Sequence, residues 1–167
     1  MQRLDRRLHA AMVMTVFVTI ETPAGSRTKY AWDPKRKAYV AKTVLPLGMA
    51  FPFDFGFIPD TKADDGDPLD ALVIADAPLV VGCMIECRIL GAVKIKTDAE
   101  ENDRLICVPA NSLRGATWKK LEDLGKPLAD EIASFFEDYV AREGREVEVL
   151  GQVGPQAAIK LLKKAAR

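Results

Sequence analysis

Histidine and cysteine are scarce in this chain, which has 167 residues, one histidine and three cysteines. His9 lies far along the sequence from Cys83, Cys87 and Cys107, and no second pair of Cys or His residues stands at metal-ligand spacing. A zinc site is therefore not expected. Cys83 and Cys87 are an even number of positions apart in a strand-like segment, so we expect them on one face as small buried apolar residues. The default compartment is a reducing cytoplasm.

An excess of either charge is also lacking, because 24 Lys and Arg residues balance 24 Asp and Glu residues. This balance argues against a nucleic-acid-binding protein that relies on bulk positive charge. It also places no electrostatic barrier against the association of several copies. The apolar run at residues 10–20 is too short to span a membrane, so we expect no membrane partner.

The start of the chain permits two interpretations. Arg3, Arg6 and Arg7 precede the apolar run, as basic residues do in a signal peptide. However, Asp5 interrupts the basic region and no Ala-x-Ala cleavage site follows. The β-branched residues of the run favour a strand instead. We therefore interpret the run as the first strand and expect no cleaved leader.

Strands and turns are predicted before the helices. Short apolar or β-branched segments predict strands at residues 12–21, 27–32, 38–42, 69–75, 84–95 and 104–108. Residues 43–68 contain four prolines, which we expect to exclude regular strand ladders. Apolar residues at helical spacing predict a helix from Pro127 to Tyr139. A strand at 146–150 and a helix after Pro155 complete an α+β domain.

The main candidate for chemistry is the segment 65–70, which reads Asp-Gly-Asp-Pro-Leu-Asp and follows Asp64. Four carboxylates in seven residues repel one another unless solvent or cations neutralise them. Mg²⁺ is bound by oxygen ligands, often a few carboxylates with water and substrate phosphate. We expect Leu69 to anchor the loop while the acids face a cavity. A plain acidic surface turn is the alternative, and an EF-hand is excluded because Leu69 occupies its fifth position.

Further charged residues lie at predicted strands and strand ends. They are Glu21, Lys29, Lys42, the acidic cluster of Asp98, Glu100, Glu101 and Asp103, and Arg104. Each alone is typical of a solvent-facing residue. Together they indicate a metal–phosphate site, in which acids bind metal ions and cations bind phosphoryl oxygens.

The order and spacing of several motifs resemble those of the soluble family I inorganic pyrophosphatases. The motifs are Ile20-Glu21-Thr22-Pro23, Lys29-Tyr30, the Phe-Pro-Phe-Asp-Phe-Gly-Phe-Ile-Pro stretch at 51–59, the loop at 65–70, Arg104-Leu105-Ile106-Cys107-Val108-Pro109 and Phe135-Phe136-Glu137-Asp138-Tyr139. The resemblance implies a small five-stranded OB-like β-barrel with flanking helices, mostly C-terminal. It implies one domain over residues 1–167, in which residues 1–11 are an N-terminal extension without an assigned role.

The resemblance also implies Mg²⁺-dependent hydrolysis of pyrophosphate to two phosphates by metal-activated water, with Mn²⁺ or another divalent ion as a substitute. By matching position, the implied metal ligands are Asp65, Asp67, Asp70, Asp98 and, through water, Glu21. Asp67 is also the implied general base. The implied phosphate-binding residues are Lys29, Tyr139, Lys42 and Arg104, the last two standing where the family has Arg and Lys. Members of the family commonly form homo-oligomers, which are hexamers in bacteria.

Several family positions are changed in this chain. An acidic residue is replaced by Ala31, two tyrosines by Phe51 and Phe55, and a lysine by Val140. A second metal-binding aspartate falls on Asn102, and the adjacent Asp103 is the candidate to replace it, although neighbouring strand residues face opposite sides. Arg142 and Arg145 are candidates to replace the lost lysine. These changes keep two alternatives open: a catalytically weak metal- and phosphate-binding relative, and a hydrolase of another phosphoanhydride.

Overall fold

The computed structural model describes residues 14–167. Its elements, in chain order, are β1 (Thr15–Thr22), β2 (Thr28–Asp33), β3 (Ala38–Val44), β4 (Asp54–Phe57), β5 (Asp70–Val73), β6 (Met84–Thr97), β7 (Glu100–Glu101), β8 (Arg104–Pro109), a short 3-10 helix (Leu121–Leu124), α1 (Lys126–Arg142), β9 (Val147–Val153) and α2 (Pro155–Ala165). The predicted N-terminal extension, residues 1–11, lies outside the described residues. Within residues 14–167, no helix is long and apolar enough to cross a membrane.

Five strands close into a ring. β1 pairs with β4, β4 with β5, β5 with β8, β8 with β6, and β6 returns to β1. The β5–β8 pairing is parallel, and the other four are antiparallel. The prediction of an α+β fold around a small five-stranded barrel is therefore confirmed, and both α-helices follow the ring in the chain.

The long strand β6 joins the ring to the rest of the sheet. Its first residues pair with β1, its middle with β8, and its last residues with β9. The ladder shifts register between Ile89 and Gly91, and such a bulge bends a strand. A Cβ atom at Gly91 would lie 2.4 Å from the carbonyl oxygen of Val153. The bend therefore requires glycine, because β9 crosses in direct contact with the backbone there.

The prediction that residues 43–68 form no regular ladder is wrong at two places, because β3 extends to Val44 and β4 lies inside the segment. β4 lies within this segment and pairs with both β1 and β5. Pro52 and Pro59 flank the strand instead of interrupting it, so every residue of β4 keeps its backbone N–H for the ladder. Asp54 links the β1–β2 turn to the β5–β6 connection, since its Oδ1 accepts hydrogen bonds from the backbone N–H groups of Ala24 and Leu79, both at 3.0 Å.

The two α-helices cover separate core clusters. Ile132, Phe136 and Tyr139 of α1 belong to one cluster, and Ala158 and Leu162 of α2 belong to the other. β5 and β8 supply alternate residues to the two clusters, because successive side chains of a strand point to opposite faces. All residues of β8 are consequently buried. Cys87 is fully buried in the core cluster that α2 covers, and the partly buried Cys83 packs against the same cluster.

Candidate active site

A cavity of about 540 Å³ lies where β1, β2, the 65–70 loop, the start of β8 and the end of α1 meet. Seven of the ten site residues predicted from the sequence line it: Glu21, Lys29, Asp65, Asp67, Asp70, Arg104 and Tyr139. Other lining residues include Ala31, Phe55, Asn102, Val140, Glu143 and Arg145. The fold thus brings together side chains that are spread over most of the chain.

The 65–70 loop is anchored from within. Leu69 is buried, and its backbone N–H donates to Thr61 Oγ1 at 2.9 Å. Asp65 Oδ1 accepts from the backbone N–H of Asp67 at 3.0 Å, while Gly66 adopts a positive φ of 90° that favours glycine. The acids at 65 and 67 are exposed at the cavity. This arrangement confirms the expected anchoring role of Leu69.

Asp70 and Arg104 form the buried centre of the site. They are direct neighbours in the parallel β5–β8 register, and Arg104 Nη1 lies 2.8 Å from Asp70 Oδ2. The same Nη1 donates to the carbonyl oxygen of Asn102 at 2.8 Å and to its side-chain oxygen. Burial raises the pKa of Asp70, the charge of Arg104 opposes that shift, and the charges of Asp65 and Asp67 add to it.

The Arg104 guanidinium lies close to two neighbouring aromatic rings, those of Phe55 and Phe136, whose centres are 6.3 Å apart. Its Cζ lies 5.9 Å from the ring centre of Phe55 and 5.7 Å from that of Phe136. Both rings contribute attraction to the cation. The Nε of Arg104 is buried and has no hydrogen-bond acceptor within residues 14–167.

Lys29, Tyr139 and Glu143 form a second polar group in the cavity. The Lys29 ammonium lies 3.2 Å from Glu143 Oε1, and the Tyr139 hydroxyl donates to the same oxygen at 2.8 Å. Lys29 Nζ also lies 5.1 Å from the centre of the Tyr139 ring. Burial, followed by the hydrogen bond to Glu143, raises the pKa of Tyr139, so its hydroxyl remains a hydrogen-bond donor. Glu143 was not found from the sequence, because it belongs to none of the motifs.

The carboxylate of Glu21 lies at the acidic side of the cavity. Its Oε1 accepts from the backbone N–H of Trp32 at 2.8 Å, which joins β1 to β2. Burial raises the pKa of Glu21 to about 7, and the negative charges of Asp70 and Asp67 add to this shift. The acids lining the cavity therefore repel one another across it.

Three predicted site residues are not brought to the cavity lining. Lys42 is exposed and is the extra residue of an irregularity in the β2–β3 ladder, between the pairs Lys29–Thr43 and Tyr30–Ala41. This bulge displaces Lys42 from the alternation that would align it with Lys29.

Asp98 and Asp103, the other two, have partners elsewhere. Asp98 Oδ2 lies 2.8 Å from Arg145 Nε, and its Oδ1 accepts from the backbone N–H of Glu146 at 3.0 Å. The hydrogen bond from Arg145, followed by the one from the Glu146 backbone, lowers the pKa of Asp98. Asp103 accepts from the backbone N–H of Ile95 at 3.2 Å and lies 3.6 Å from Lys94 Nζ. Asn102 lines the cavity, whereas the contacts of Asp103 with Lys94 and Ile95 hold its carboxylate away from the lining.

The comparisons with known proteins agree with this arrangement. A sequence profile of the family described as inorganic pyrophosphatase matches residues 18–167. The chain belongs to the inorganic pyrophosphatase family. The inorganic pyrophosphatase of Synechocystis sp. is 38% identical over 150 residues, which cover 90% of this chain and 89% of the relative.

Further relatives give the same result. The inorganic pyrophosphatase of Ralstonia nicotianae is 42% identical over 147 residues, which cover 86% of this chain and 84% of the relative. The crystal structure of the inorganic pyrophosphatase from Thermus thermophilus superposes with a TM-score of 0.85 at 33% identity, covering 94% of this chain and 91% of that one. The similarity therefore extends over the whole fold, including the barrel and both helices.

The acids of this pyrophosphatase-family chain do not converge on one point. Within residues 14–167, no group of three or more His, Cys, Asp or Glu side chains is arranged to hold a metal ion. The carboxylates at 21, 65, 67 and 70 nevertheless form an all-oxygen set along one side of the cavity. Burial, and after it the charges of the neighbouring carboxylates, raises the pKa values of Glu21 and Asp70, and a hard divalent cation would favour their charged forms. The residues present therefore fit such an ion.

Proposed function

We propose that this chain is an enzyme that hydrolyses inorganic pyrophosphate to two phosphates. The observation that carries the proposal is the meeting of acids and cations in one cavity, with Asp65, Asp67 and Asp70 beside Lys29 and Arg104. Acids suit metal ions and cations suit phosphoryl oxygens, as this reaction requires. Family membership and relatives named inorganic pyrophosphatase support the same substrate.

Mg²⁺ is the proposed cofactor, and Mn²⁺ or another divalent ion would serve in its place. Asp65, Asp67 and Asp70 would hold it directly, and Glu21 through water. When bound, the ion supplies a water molecule of lowered pKa and neutralises charge on the phosphate. Asp98 and Asp103 are left out of this set, because Arg145, Lys94 and backbone N–H groups occupy their carboxylates.

The chain's own side chains bind and orient the reactants. Lys29 and Arg104 donate to the phosphoryl oxygens, and the Tyr139 hydroxyl donates a further hydrogen bond. Asp67 is exposed at the cavity and accepts a proton from the attacking water as general base. Asn102 helps to hold Arg104 in place through its side-chain oxygen. The donors Lys29, Arg104 and Tyr139 stabilise the charge that develops on the leaving phosphate as the bond breaks.

Phosphate release from pyrophosphate tests the proposal. The purified protein with Mg²⁺ should release phosphate, and Asp67→Asn should abolish the release while the protein stays folded. Asp138→Asn is the matched control, because Asp138 is exposed on α1 and does not line this cavity. Absence of release by the unaltered chain across pH 6–9 with several divalent ions would overturn the proposal.

A weak binding protein is the second candidate, and a specific contact favours it. Glu143 occupies both Lys29 and Tyr139, two of the groups proposed to bind phosphate. Calorimetric binding of pyrophosphate without turnover would support this candidate. A panel of pyrophosphate, tripolyphosphate and nucleoside triphosphates would in turn identify a hydrolase of another phosphoanhydride.

A homo-oligomer located in the cytoplasm remains a prediction from the sequence. The exposed side chains of Phe17 and Met84 lie on the same face of the β1–β6 pair, which supports a contact between copies. Light scattering after size-exclusion chromatography would give the number of copies.

A further inference from the structure

We propose that Arg145 binds phosphoryl oxygens of the substrate, in place of the cation that Val140 cannot provide. The inference rests on the proposed function and adds a residue to it. Arg145 lies in the loop between α1 and β9 and lines the same cavity as Lys29 and Arg104. Arg145 therefore adds a cation on the side where the helix ends, to a cavity that Lys29, Arg104 and Arg167 also line.

Asp98 fixes the position of this arginine. Its carboxylate contacts Arg145 through Nε at 2.8 Å. Asp98 is itself held by two hydrogen bonds with Glu146, one from the Glu146 backbone N–H to Oδ1 and one from the Asp98 N–H to the Glu146 carbonyl oxygen, both at 3.0 Å. A guanidinium has five N–H donors in a planar fork. The contact through Nε leaves the two terminal amino groups for another acceptor such as a phosphoryl oxygen.

Two residues of the segment 98–103 each contact an arginine at the cavity. Asp98 holds Arg145, and Asn102 holds Arg104. Both contacts place an arginine at the cavity, although the two arginines come from distant parts of the chain. The acids Glu101 and Asp103 of the same segment pair with Lys164 and Lys94 instead.

Val140 and Arg142 do not perform this role. Val140 is 1% exposed and packs in the core cluster that α1 covers. It therefore brings no charge to the cavity. Arg142 is exposed on α1 and lines a different groove, together with Met49 and Phe135. Two residues of equal charge near the end of α1 thus face different surfaces, and Arg145 is the one at the cavity.

A simple surface ion pair is the competing interpretation of the Asp98–Arg145 contact. Both side chains are about half exposed, at 51% and 43%. Exposed pairs contribute little to stability. A surface pair would leave substrate binding unchanged on removal, whereas a substrate-binding arginine would not, so ligand affinity separates the two interpretations.

The experiment compares Arg145→Gln and Arg145→Lys with the control Arg142→Gln. Calorimetry measures the Kd of methylenediphosphonate, a non-hydrolysable pyrophosphate analogue, in the presence of Mg²⁺. The loss of a charge-assisted hydrogen bond predicts a Kd about tenfold higher for Arg145→Gln. Arg145→Lys should give a smaller increase, because it keeps the charge without the planar fork. Arg142→Gln should stay within about twofold of the unaltered chain.

The outcomes separate this inference from the proposed function. A Kd for Arg145→Gln within twofold of the unaltered chain would overturn the inference, whether or not pyrophosphate is hydrolysed. An increased Kd in a chain that releases no phosphate would support Arg145 as an anion-binding residue and reject the hydrolytic function alone. Circular dichroism of each variant confirms that it is folded, and Arg145→Lys provides the test if Arg145→Gln is not.

Discussion

Replacing Arg104 by Met removes a buried cation while keeping a long apolar side chain in its place. Arg104 is 5% exposed, pairs with Asp70 at 2.8 Å and contacts the adjacent rings of Phe55 and Phe136. Met retains the packing against these rings. The main effect is therefore that the Asp70 carboxylate loses its opposite charge. We expect the free energy of unfolding to fall, and to fall by an amount that depends on pH.

The magnitude follows from the burial of the pair. Removing one partner of a buried ion pair costs about 3–5 kcal/mol. The Asp70 side chain retains 25% exposure, so water relieves part of the cost and we expect a loss of about 3 kcal/mol at pH 8. The Arg104 charge opposes the rise in the pKa of Asp70, so Arg104→Met raises that pKa further above its value in the unfolded chain.

The raised pKa sets the direction of the pH dependence. A carboxyl group whose pKa is raised by folding binds its proton more tightly in the folded state, so the stability that it contributes is lost as pH rises. The difference between the unaltered chain and Arg104→Met should consequently be small near pH 5 and large at pH 8. It should grow by at most about 1.4 kcal/mol per pH unit.

Urea unfolding with a metal chelator present measures this difference at pH 5 and pH 8. Urea is uncharged and does not screen the ion pair as guanidinium chloride would, and protein concentration is held fixed in case copies associate. Arg142→Met is the control, because Arg142 is exposed and its loss should change stability by no more than about 0.5 kcal/mol. A loss below 1 kcal/mol at pH 8, or an equal loss at both pH values, would refute the reasoning.

Two further predictions concern β1. A Cβ atom at Gly56 would lie 2.0 Å from the carbonyl oxygen of Thr19, so Gly56→Ala should lower stability by more than about 3 kcal/mol or prevent folding. Gly154→Ala, whose Cβ would meet nothing within 4 Å, should keep its melting temperature within about 3 °C. Equal thermal stability of the two variants would contradict the close approach of β1 and β4. Separately, folding raises the pKa of Glu21 from 4.5 to about 7, so the stability of the metal-free protein should decline between pH 5 and 8. Glu21→Gln should remove up to about 3 kcal/mol of this decline, and an unchanged decline in urea unfolding would reject Glu21 as its cause.

The spacing of apolar residues predicted helices and strands well where a single periodicity ran through the whole segment. The apolar spacing that predicted a helix from Pro127 to Tyr139 corresponds to α1, which extends three residues further to Arg142. Asn102 lines the cavity and Asp103 does not, but both residues lie between β7 and β8, so the expected alternation along a strand does not explain the difference. β4 was missed because the prolines were expected to exclude a ladder throughout 43–68, whereas the four residues of β4 lie between Pro52 and Pro59 and are free to pair.

The acidic side of the site could be predicted from the loop 65–70 alone. Leu69 enters the core while Asp65 and Asp67 are exposed at the cavity, because the local backbone sets the direction of each side chain. The cationic side depends on contacts between distant segments. Lys29 meets Glu143 across 114 positions, and Arg145 reaches the cavity while Arg142 does not. These contacts depend on how the end of α1 packs against β2 and β8, which the spacing of residues within any one segment does not specify.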